Sequence, residues 1–370
     1  MKYLNLILFI FFISWFSCRS VNHVKSSLAT AQSAALERPE YALVIHGGAG
    51  TIRKSEMSEE KYKSYYTALD SALIIGEQIL AKGGSSIDAI EATINFMEDC
   101  PLFNSGRGAV FTNEGKNELD ASIMVGDGRR AGAVGGVTNV KHPISAARAV
   151  MEKSDHVLLI QKGAEKFAKD QGLEIVDPVY FKTEDNWNRL QNILKDVKST
   201  ESNTIEAIDS KTKDAKSKGS KSQGAVFQNV DEKFGTVGAV ALDEYGNIAA
   251  GTSTGGMTNK KWNRLGDSPI IGAGTFADNN FCGVSCTGHG EYFIRNAVAY
   301  DMVARMEYLK ESVGEAGEHI IRTKLKNQDA LGGLIALDKD GNITMPFNTE
   351  GMYRGWIKPG EKEILMYKDN

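Results

Sequence analysis

The sequence predicts an α+β fold in which β-sheets lie inside and helices lie outside. Two segments, residues 61–82 and 86–98, have the apolar spacing of amphipathic helices. Two later segments, residues 239–248 and 334–343, each read as a strand, a turn containing Gly-Asn, and a return strand, which is typical of a β-hairpin. Because helical and strand-like segments follow each other along one chain, we expect layers of both kinds around shared cores.

Three further segments complete the predicted order of elements. Residues 41–45 form an apolar strand that ends at the glycine-rich run His46–Gly50. Residues 157–160 read as a short buried strand, followed by a helix through Phe167. Residues 290–309 have the apolar spacing of one amphipathic helix between the two hairpins.

The composition narrows the class of protein. Of the 370 residues, 42% are hydrophobic and 24% are charged, which is enough to bury a core and excludes wholesale disorder. Lys and Arg number 43 against 47 Asp and Glu, for a net charge of −4, so no basic excess exists for a nucleic-acid partner. The four cysteines are too few and too scattered for a disulfide scaffold or a four-cysteine zinc site.

The N-terminus predicts an export signal in residues 1–17. Lys2 precedes an almost wholly apolar run that is too short to span a bilayer comfortably. Cys18 follows directly, at the place of the acylated cysteine in a bacterial lipoprotein signal, although the aromatic residues before it depart from that pattern. An ordinary signal-peptidase site near Ser20 is the alternative. We therefore expect an exported protein that is either periplasmic or anchored to the membrane by lipid on Cys18.

The remaining chain is predicted to form one domain in two parts. Residues 18–40 are rich in Ser and Ala and read as a spacer. Residues 41–235 would form the first part, ending in a segment, about 196–235, that is dominated by Lys, Ser, Thr and Asp. Because such a composition cannot offset its ordering entropy by burial, we expect a mobile linker there. Residues 236–370 would form the second part.

Three patterns point weakly to other kinds of site. The run His46–Gly50 follows a strand, as phosphate-binding loops do, but lacks their glycine spacing, so a tight turn is favoured. The six histidines are dispersed without ligand spacing, so no catalytic metal is expected. Cys286 and His289 could form a nucleophile and a base, but a cysteine in this setting is more often buried and inert.

A fourth pattern indicates a threonine nucleophile. Gly235 and Thr236 stand between the linker and the first hairpin. If the bond between them broke, Thr236 would carry both a hydroxyl group and a new α-amino group, whose pKa of roughly 7.7–8.0 makes it a usable base. A glycine at 235 would permit the strained peptide that such scission requires. By itself, however, a Gly-Thr pair at the start of a strand is common and favours a merely structural role.

The order of motifs along the chain resembles the plant-type asparaginase and isoaspartyl peptidase family of N-terminal-nucleophile (Ntn) hydrolases. The matching runs are His46–Gly50, Asn104–Gly108, Glu118–Ala121, Gly235–Asp243, Thr252–Lys260, Arg264–Pro269, Cys286–Gly288 and Phe347–Met352. The resemblance covers about residues 41–356. It implies a four-layer αββα sandwich, the Ntn-hydrolase fold, and a precursor that cuts itself between Gly235 and Thr236. Residues 41–235 would then be an α chain, and residues 236–370 a β chain.

The resemblance also implies roles for individual residues. Thr236 would be the nucleophile, with the Thr254 hydroxyl held against it. Arg264 would bind the α-carboxylate of the substrate, as a planar guanidinium can do with two hydrogen bonds. Asp267 would pair with the substrate's α-ammonium group.

Four further assignments come from the same resemblance. Thr287 and Gly288 match the oxyanion hole, and both would also contact the substrate. Asn104 matches a residue near the nucleophile. The loop that contains Glu98, Cys100 and Phe103 matches one that wraps a structural sodium ion through backbone carbonyls, a hard-oxygen environment that suits such an ion.

The resemblance implies an autoproteolytic threonine hydrolase of β-aspartyl amide bonds. Its substrates would be β-aspartyl dipeptides and L-asparagine, it would need no cofactor for catalysis, and it would assemble as a dimer of αβ heterodimers. The first alternative is glycosylasparaginase, against which Gly255 argues because that group usually has Asn there. A second alternative is a catalytically silent surface lipoprotein that uses the fold for binding. His289 receives no role, and the bulky Trp262 would alter the rim of the pocket.

Overall fold

The structure is a computed structural model that describes residues 38–211 and 235–368, with the side chains of residue 198 and residues 200–211 excepted. The predicted export signal and most of the spacer, in residues 1–37, and the second half of the predicted linker, in residues 212–234, lie outside the described residues. The described residues from Arg38 onwards belong to one compact unit. No helix in the described part is long and apolar enough to cross a bilayer.

The chain forms strands and helices in mixed order. The strands are β1 (Ala42–Gly50), β2 (Leu119–Val125), β3 (Ala131–Val137), β4 (Leu158–Ile160), β5 (Val237–Leu242), β6 (Ile248–Thr254), β7 (Thr275–Ala277), β8 (Cys282–Gly288), β9 (Gly332–Asp338), β10 (Ile343–Thr344), β11 (Gly351–Lys358) and β12 (Glu361–Tyr367). The α-helices are α1 (Glu59–Leu80), α2 (Ser86–Asp99), α3 (Pro143–Lys153), α4 (Gln161–Asp170), α5 (Glu184–Lys211), α6 (Gly290–Asn296), α7 (Val298–Ala304) and α8 (Val313–His319). Short 3₁₀ turns lie at Lys54–Glu56, Gly106–Gly108, Pro178–Phe181 and Lys326–Gln328, and π turns at Arg305–Leu309 and Ile320–Leu325.

Two sheets organise the molecule, and the predicted α+β class is confirmed. The larger sheet has the strand order β12-β11-β1-β5-β6-β2-β3-β4, and the smaller has the order β10-β9-β8-β7. Only β3 and β4 among these neighbours run parallel. Strand β5, which begins directly after Thr236, lies in the middle of the larger sheet between β1 and β6.

The larger sheet separates two hydrophobic cores. In β1, Leu43 and Ile45 point into one core with the apolar faces of α1, α2 and α3, whereas Ala42 and Val44 point into the other. The second core contains side chains of β8, β9, α7 and α8. Because successive strand residues face opposite sides, a strand that is covered on both faces is apolar throughout. This explains why residues 41–45 lack polar alternation.

Helices α1 and α2 begin at well-formed caps, and both are predicted helices that the structure confirms. The Ser58 hydroxyl accepts the Lys61 N–H at 3.2 Å at the start of α1, and Ser85 accepts the Asp88 N–H at 3.2 Å at the start of α2. Each cap satisfies an N–H group that has no partner inside the helix. The buried stripe of α1 recurs at helical spacing, as expected for an amphipathic helix.

Both predicted hairpins are also confirmed. Strands β5 and β6 are joined by a turn in which the Asp243 carboxylate accepts the N–H groups of Tyr245 and Asn247 at 3.1 and 2.8 Å. The turn between β9 and β10 repeats this arrangement with Asp338, which accepts from Asp340 and Asn342 at 2.9 and 2.8 Å. An Asp at the start of each turn therefore closes it through its own side chain.

Two strand predictions differ from the structure. The glycine-rich run His46–Gly50 was predicted as a turn, but it continues β1 to Gly50 and pairs with β11 across a register shift. Gly47 packs so closely on Phe103 that a Cβ there would lie 2.5 Å from the ring, so the glycine serves packing in the sheet. The segment 157–160 was predicted as buried, but β4 is an edge strand, with Ile160 51% exposed.

One linker prediction and one helix prediction also differ from the structure. Residues 196–211, predicted as part of a mobile linker, are helical as the end of α5, whose first half is anchored by the buried Leu190. The single helix predicted over residues 290–309 is divided into α6, α7 and a π turn. The break falls at Ala297, which has a φ of +47°, because the Ala299 and Tyr300 N–H groups donate to carbonyls of the loop before β7.

Candidate active site

Thr236 lies against Thr254 through the register of the β5–β6 hairpin. Val237 pairs with Ser253, so the preceding Thr236 falls opposite Thr254, eighteen residues later. The two hydroxyl oxygens lie 3.0 Å apart, and both side chains are buried. Thr254 Oγ1 also accepts the Gly256 N–H at 3.0 Å, which leaves its own proton free to donate to Thr236. The predicted pair of threonine hydroxyls is therefore in contact.

Asn104 holds the peptide that precedes Thr236. Its backbone N–H donates to the Gly235 carbonyl at 2.9 Å, and its carbonyl accepts the Gly255 N–H at 3.0 Å. Its side chain donates to the Gly256 carbonyl at 2.7 Å and accepts the Val110 N–H at 2.9 Å. A Cβ at position 235 would lie 2.7 Å from the Asn104 Cβ, so only glycine fits there without displacement.

His46 fixes the other side of Thr236, a role for which sequence reasoning gave no signal. Its Nδ1 donates to the Thr236 carbonyl at 3.0 Å, because a carbonyl can only accept. Its Nε2 must then accept from the Ser285 hydroxyl at 2.9 Å. Burial lowers the pKa of His46 to about 3, so the ring is neutral and keeps this single tautomer at physiological pH.

A chain of buried hydroxyl groups continues behind His46. Thr252 lies 2.7 Å from Ser285, Thr275 donates to Thr252 at 2.6 Å, and Ser122 lies 2.8 Å from Thr275. Ser122 also donates to the Ser268 carbonyl at 2.5 Å, beside Asp267. These close contacts leave each buried hydroxyl group few arrangements, since a lost partner would leave a buried polar group unsatisfied.

Thr287 and Gly288 end strand β8, two and three residues after Ser285. Residues 285 and 287 point to the same face of the strand, and Ser285 already contacts His46. Thr287 is buried, and its hydroxyl accepts the Ala49 N–H at 3.4 Å. Gly288 has a φ of +155° and packs directly on Gly332, where a side chain would not fit.

Arg264 and Asp267 approach one another around Gly290. A Cβ at Gly290 would lie 2.7 Å from Arg264 Nη2 and 3.0 Å from Asp267 Oδ1, so both charged groups pack against the backbone of this glycine, where a side chain would not fit. Asp267 Oδ2 is buried without a hydrogen-bond partner. Burial raises the pKa of Asp267 to about 7, although the positive charge of Arg264 opposes the shift. The arginine itself is held by Glu291, through hydrogen bonds of 2.9 Å from Nε and from Nη2.

A second charged pair is buried beside Thr254. Lys260 Nζ lies 3.8 Å from Asp120 Oδ2, and both side chains are almost fully buried. Asp120 pairs with Thr254 across β2 and β6, and its other oxygen accepts the Gly136 N–H at 2.8 Å. Sequence reasoning assigned no role to Asp120 or Lys260, because a single chain does not reveal which charged residues a sheet will bury.

The alternative sites do not gain support. Cys286 is fully buried, and burial raises the pKa of its thiol, which therefore stays protonated. Among the described residues, no group of three or more His, Cys, Asp or Glu side chains is placed to hold a metal ion.

Comparisons with known proteins identify the family. Residues 39–366 match the family model described as asparaginase. The chain is 49% identical to a putative isoaspartyl peptidase/L-asparaginase of Dictyostelium discoideum, over 85% of this chain and 92% of that protein. It is 44% identical to the isoaspartyl peptidase of Salmonella typhimurium, over 86% and 96% of the two chains. It is 40% identical to a plant-type L-asparaginase of Pyrococcus horikoshii, over 87% and 98%.

The chain thus belongs to this asparaginase family of enzymes, as its motifs predict.

Proposed function

We propose that this protein is a self-cleaving threonine hydrolase that acts on β-aspartyl dipeptides and on L-asparagine. The observation that carries the proposal is the contact of 3.0 Å between the Thr236 and Thr254 hydroxyl groups. The carbonyl of the preceding Gly235 is held by a hydrogen bond from the Asn104 N–H. The names of the relatives from Dictyostelium discoideum and Salmonella typhimurium support the choice of substrates. Helices α2 and α3 contact the larger sheet, the larger sheet contacts the smaller one, and α7 and α8 contact the smaller sheet. This order of contacts supports an αββα arrangement of layers.

Maturation comes first in this proposal. The Thr236 hydroxyl attacks the Gly235 carbonyl carbon, the C–N bond to Thr236 breaks, and water then hydrolyses the resulting ester. The products are a carboxylate on Gly235 and a free α-amino group on Thr236. The Asn104 N–H already binds the Gly235 carbonyl oxygen, where negative charge develops during the attack.

The mature enzyme would use the same hydroxyl on its substrate. Arg264 and Asp267 bind the α-carboxylate and the α-ammonium group, which places the side-chain amide near Thr236. The Thr236 α-amine accepts the hydroxyl proton as oxygen attacks, and returns a proton to the departing amine. Thr287 and Gly288 stabilise the oxyanion, an interaction whose loss typically costs about 2.7–4 kcal/mol of barrier. Water then releases L-aspartate and restores Thr236.

We also propose a structural sodium ion in the loop after α2, as the resemblance implies. Gly106 and Gly108 pack directly against the carbonyl oxygens of Glu98 and Phe103, where a side chain would not fit. Together with the Cys100 carbonyl, these oxygens would hold the ion, which would stabilise the loop and take no part in the reaction. Sodium-23 NMR would detect it, and the absence of exchange broadening would contradict this assignment.

The proposal is tested first by the intact mass of the purified protein and by sequencing any new N-terminus. Two fragments are expected, the smaller beginning at Thr236, and the cut protein should hydrolyse β-aspartyl dipeptides and L-asparagine. Thr236→Ala should stay uncut. Gly235→Ala should mature far more slowly because its Cβ would meet Asn104. The matched control is Gly163→Ala, where a Cβ meets nothing within 4 Å.

The outcomes separate the alternatives. A wild-type chain that stays intact after long incubation would overturn the proposal and favour a binding protein. A cut protein that prefers sugar-linked asparagine would indicate a glycosylasparaginase. The contact of Gly255 with Asn104 argues against that outcome, since a Cβ at position 255 would lie 2.5 Å from Asn104 Oδ1.

A further inference from the structure

The Arg264 guanidinium has two edges, and one of them is occupied. Nε and Nη2 each donate to a different oxygen of Glu291 at 2.9 Å, which forms a fork of two parallel hydrogen bonds. A guanidinium has five N–H groups, so two on Nη1 and one on Nη2 remain. These remaining groups form a second edge of the same shape, which matches a carboxylate.

Two glycines let their backbones pack directly against this guanidinium. A Cβ at Gly266 would lie 2.8 Å from Nη1, and a Cβ at Gly290 would lie 2.7 Å from Nη2. Gly290 also adjoins Asp267, whose buried Oδ2 has no hydrogen-bond partner. The Nη1–Nη2 edge of Arg264 and the unpartnered carboxylate of Asp267 therefore both lie beside Gly290, an arrangement that suits a ligand carrying both a carboxylate and an ammonium group.

The Arg264–Glu291 pair is poorly placed to serve stability. The Glu291 side chain is 52% exposed, and half-exposed ion pairs contribute about 0–1 kcal/mol. Although burial raises it, the hydrogen bonds from Arg264 lower the pKa of Glu291, which remains ionised at neutral pH. The Arg264–Glu291 ion pair, which lies beside the proposed substrate-binding residue Asp267, therefore has a role other than stabilising the fold.

We propose that Glu291 is a positioning residue that holds one edge of Arg264 so that the other edge faces the α-carboxylate of the substrate. This inference rests on the proposed function of the site. Glu291 selects for substrates with a free α-carboxylate, because without the fork the long arginine side chain would sample several rotamers. It acts through Arg264 and does not touch the reacting atoms.

A second consequence concerns pH. The negative charge of Glu291 disfavours ionisation of Asp267, which must be ionised to pair with the substrate's ammonium group. The charged groups that act on Asp267 are Arg264, Glu291 and Asp120, and Asp120 is paired in turn with Lys260. Neutralising Glu291 should therefore make Asp267 ionise at a lower pH.

The test compares Glu291→Gln with wild type on L-asparagine and on 3-aminopropanamide, which has the amine and the amide but no α-carboxylate. We expect KM for L-asparagine to rise about fivefold with kcat nearly unchanged, since a half-exposed fork is worth up to about 1 kcal/mol. Turnover of 3-aminopropanamide should not fall. The acidic limb of the kcat/KM profile should move to lower pH.

Two further variants separate orientation from charge. Glu291→Asp keeps the charge but is too short for the fork, so KM should rise while the acidic limb stays in place. Glu311→Gln is the matched control, because Glu311 forms an equivalent fork with Arg305, at 2.7 and 2.6 Å, on another part of the surface. It should leave both KM and the pH profile unchanged.

Three results would overturn the proposal for Glu291. They are a wild-type KM and pH profile in Glu291→Gln, an equal loss on both substrates, or a fall in kcat alone. Failure of the proposed function itself looks different, because the wild-type chain would then neither mature nor hydrolyse either substrate. A Glu291→Gln chain that does not fold would contradict the inference that the pair contributes little to stability, and Glu291→Asp would then test orientation alone.

Discussion

At the scale of single residues, Asp267 in the proposed substrate-binding site is a charged group whose burial is costly. Asp267 is almost fully buried, and its Oδ2 lacks a hydrogen-bond partner. Its pKa is raised by burial from 3.8 to about 7, so the folded protein loses stability relative to the unfolded chain as the pH rises from about 4 to about 7. The negative charge of Asp267 therefore lowers the stability of the free protein, and a bound cationic group of a ligand would offset that loss.

Asp267→Asn should consequently stabilise the protein in a pH-dependent manner. Below about pH 4 the wild-type side chain is protonated in both states, and the variant should have no advantage of this kind. Above about pH 7 the free energy of unfolding should be higher for the variant, while binding of L-aspartate is lost. Urea unfolding at several pH values measures this, and a pH-independent difference in stability would contradict the assignment.

At the scale of elements, one buried carboxylate joins two helices and a strand. Glu98, at the end of α2, accepts the Ser253 hydroxyl of β6 at 2.6 Å and the Ile144 N–H of α3 at 3.1 Å. His142 lies 3.3 Å from its other oxygen. Burial raises the pKa of Glu98, and these donors oppose the shift. The loop that carries Asn104 begins directly after this junction.

Glu98→Ala should therefore destabilise the protein substantially. Removal of the carboxylate leaves the buried donors of Ser253 and Ile144 without an acceptor, at a cost of about 2–4 kcal/mol. The midpoint of urea unfolding should fall at an unchanged slope. Glu152→Ala is the control, since Glu152 only forms a partly exposed pair with Arg148 and should change stability by less than about 0.5 kcal/mol. Equal losses of stability in the two variants would show that Glu98 contributes no more to stability than a partly exposed ion pair.

At the scale of the whole molecule, the proposed cut divides the chain but not the sheet. Strand β5 would belong to the new second chain, and it is hydrogen-bonded along its length to β1 of the first. Strand β1 is bonded on its other side to β11, and β6 is bonded to β2, so both chains alternate across the sheet. The two cores are also shared between residues before and after the cut.

The two fragments should therefore remain together after maturation. Size-exclusion chromatography with light scattering should give one peak that contains both, and only denaturant should separate them. By resemblance we expect a mass of about two precursor chains, which corresponds to a dimer of αβ heterodimers. Separation of the fragments in native buffer would contradict the sheet order, and a single-precursor mass would contradict the dimer.

The sequence by itself was sufficient wherever the information is local. Helices α1 and α2 were predictable because their apolar spacing and serine caps lie within one segment, and both hairpins because a turn-closing Asp precedes each Gly-Asn. The family could also be predicted, since ordered motifs carry it. The same motifs assign roles to Thr236, Thr254, Arg264 and Asp267, and these roles stay predictions.

Only the tertiary structure decided what depends on contacts between distant segments. His46 contacts Thr236 and Ser285 across 190 and 239 residues, and Glu291 contacts Arg264 from a different element. The break at Ala297 and the exposure of β4 likewise follow from neighbours that no local pattern names. Periodicity reports which face of an element is apolar, whereas the partner that satisfies a buried polar group is set by how sheets and helices pack together.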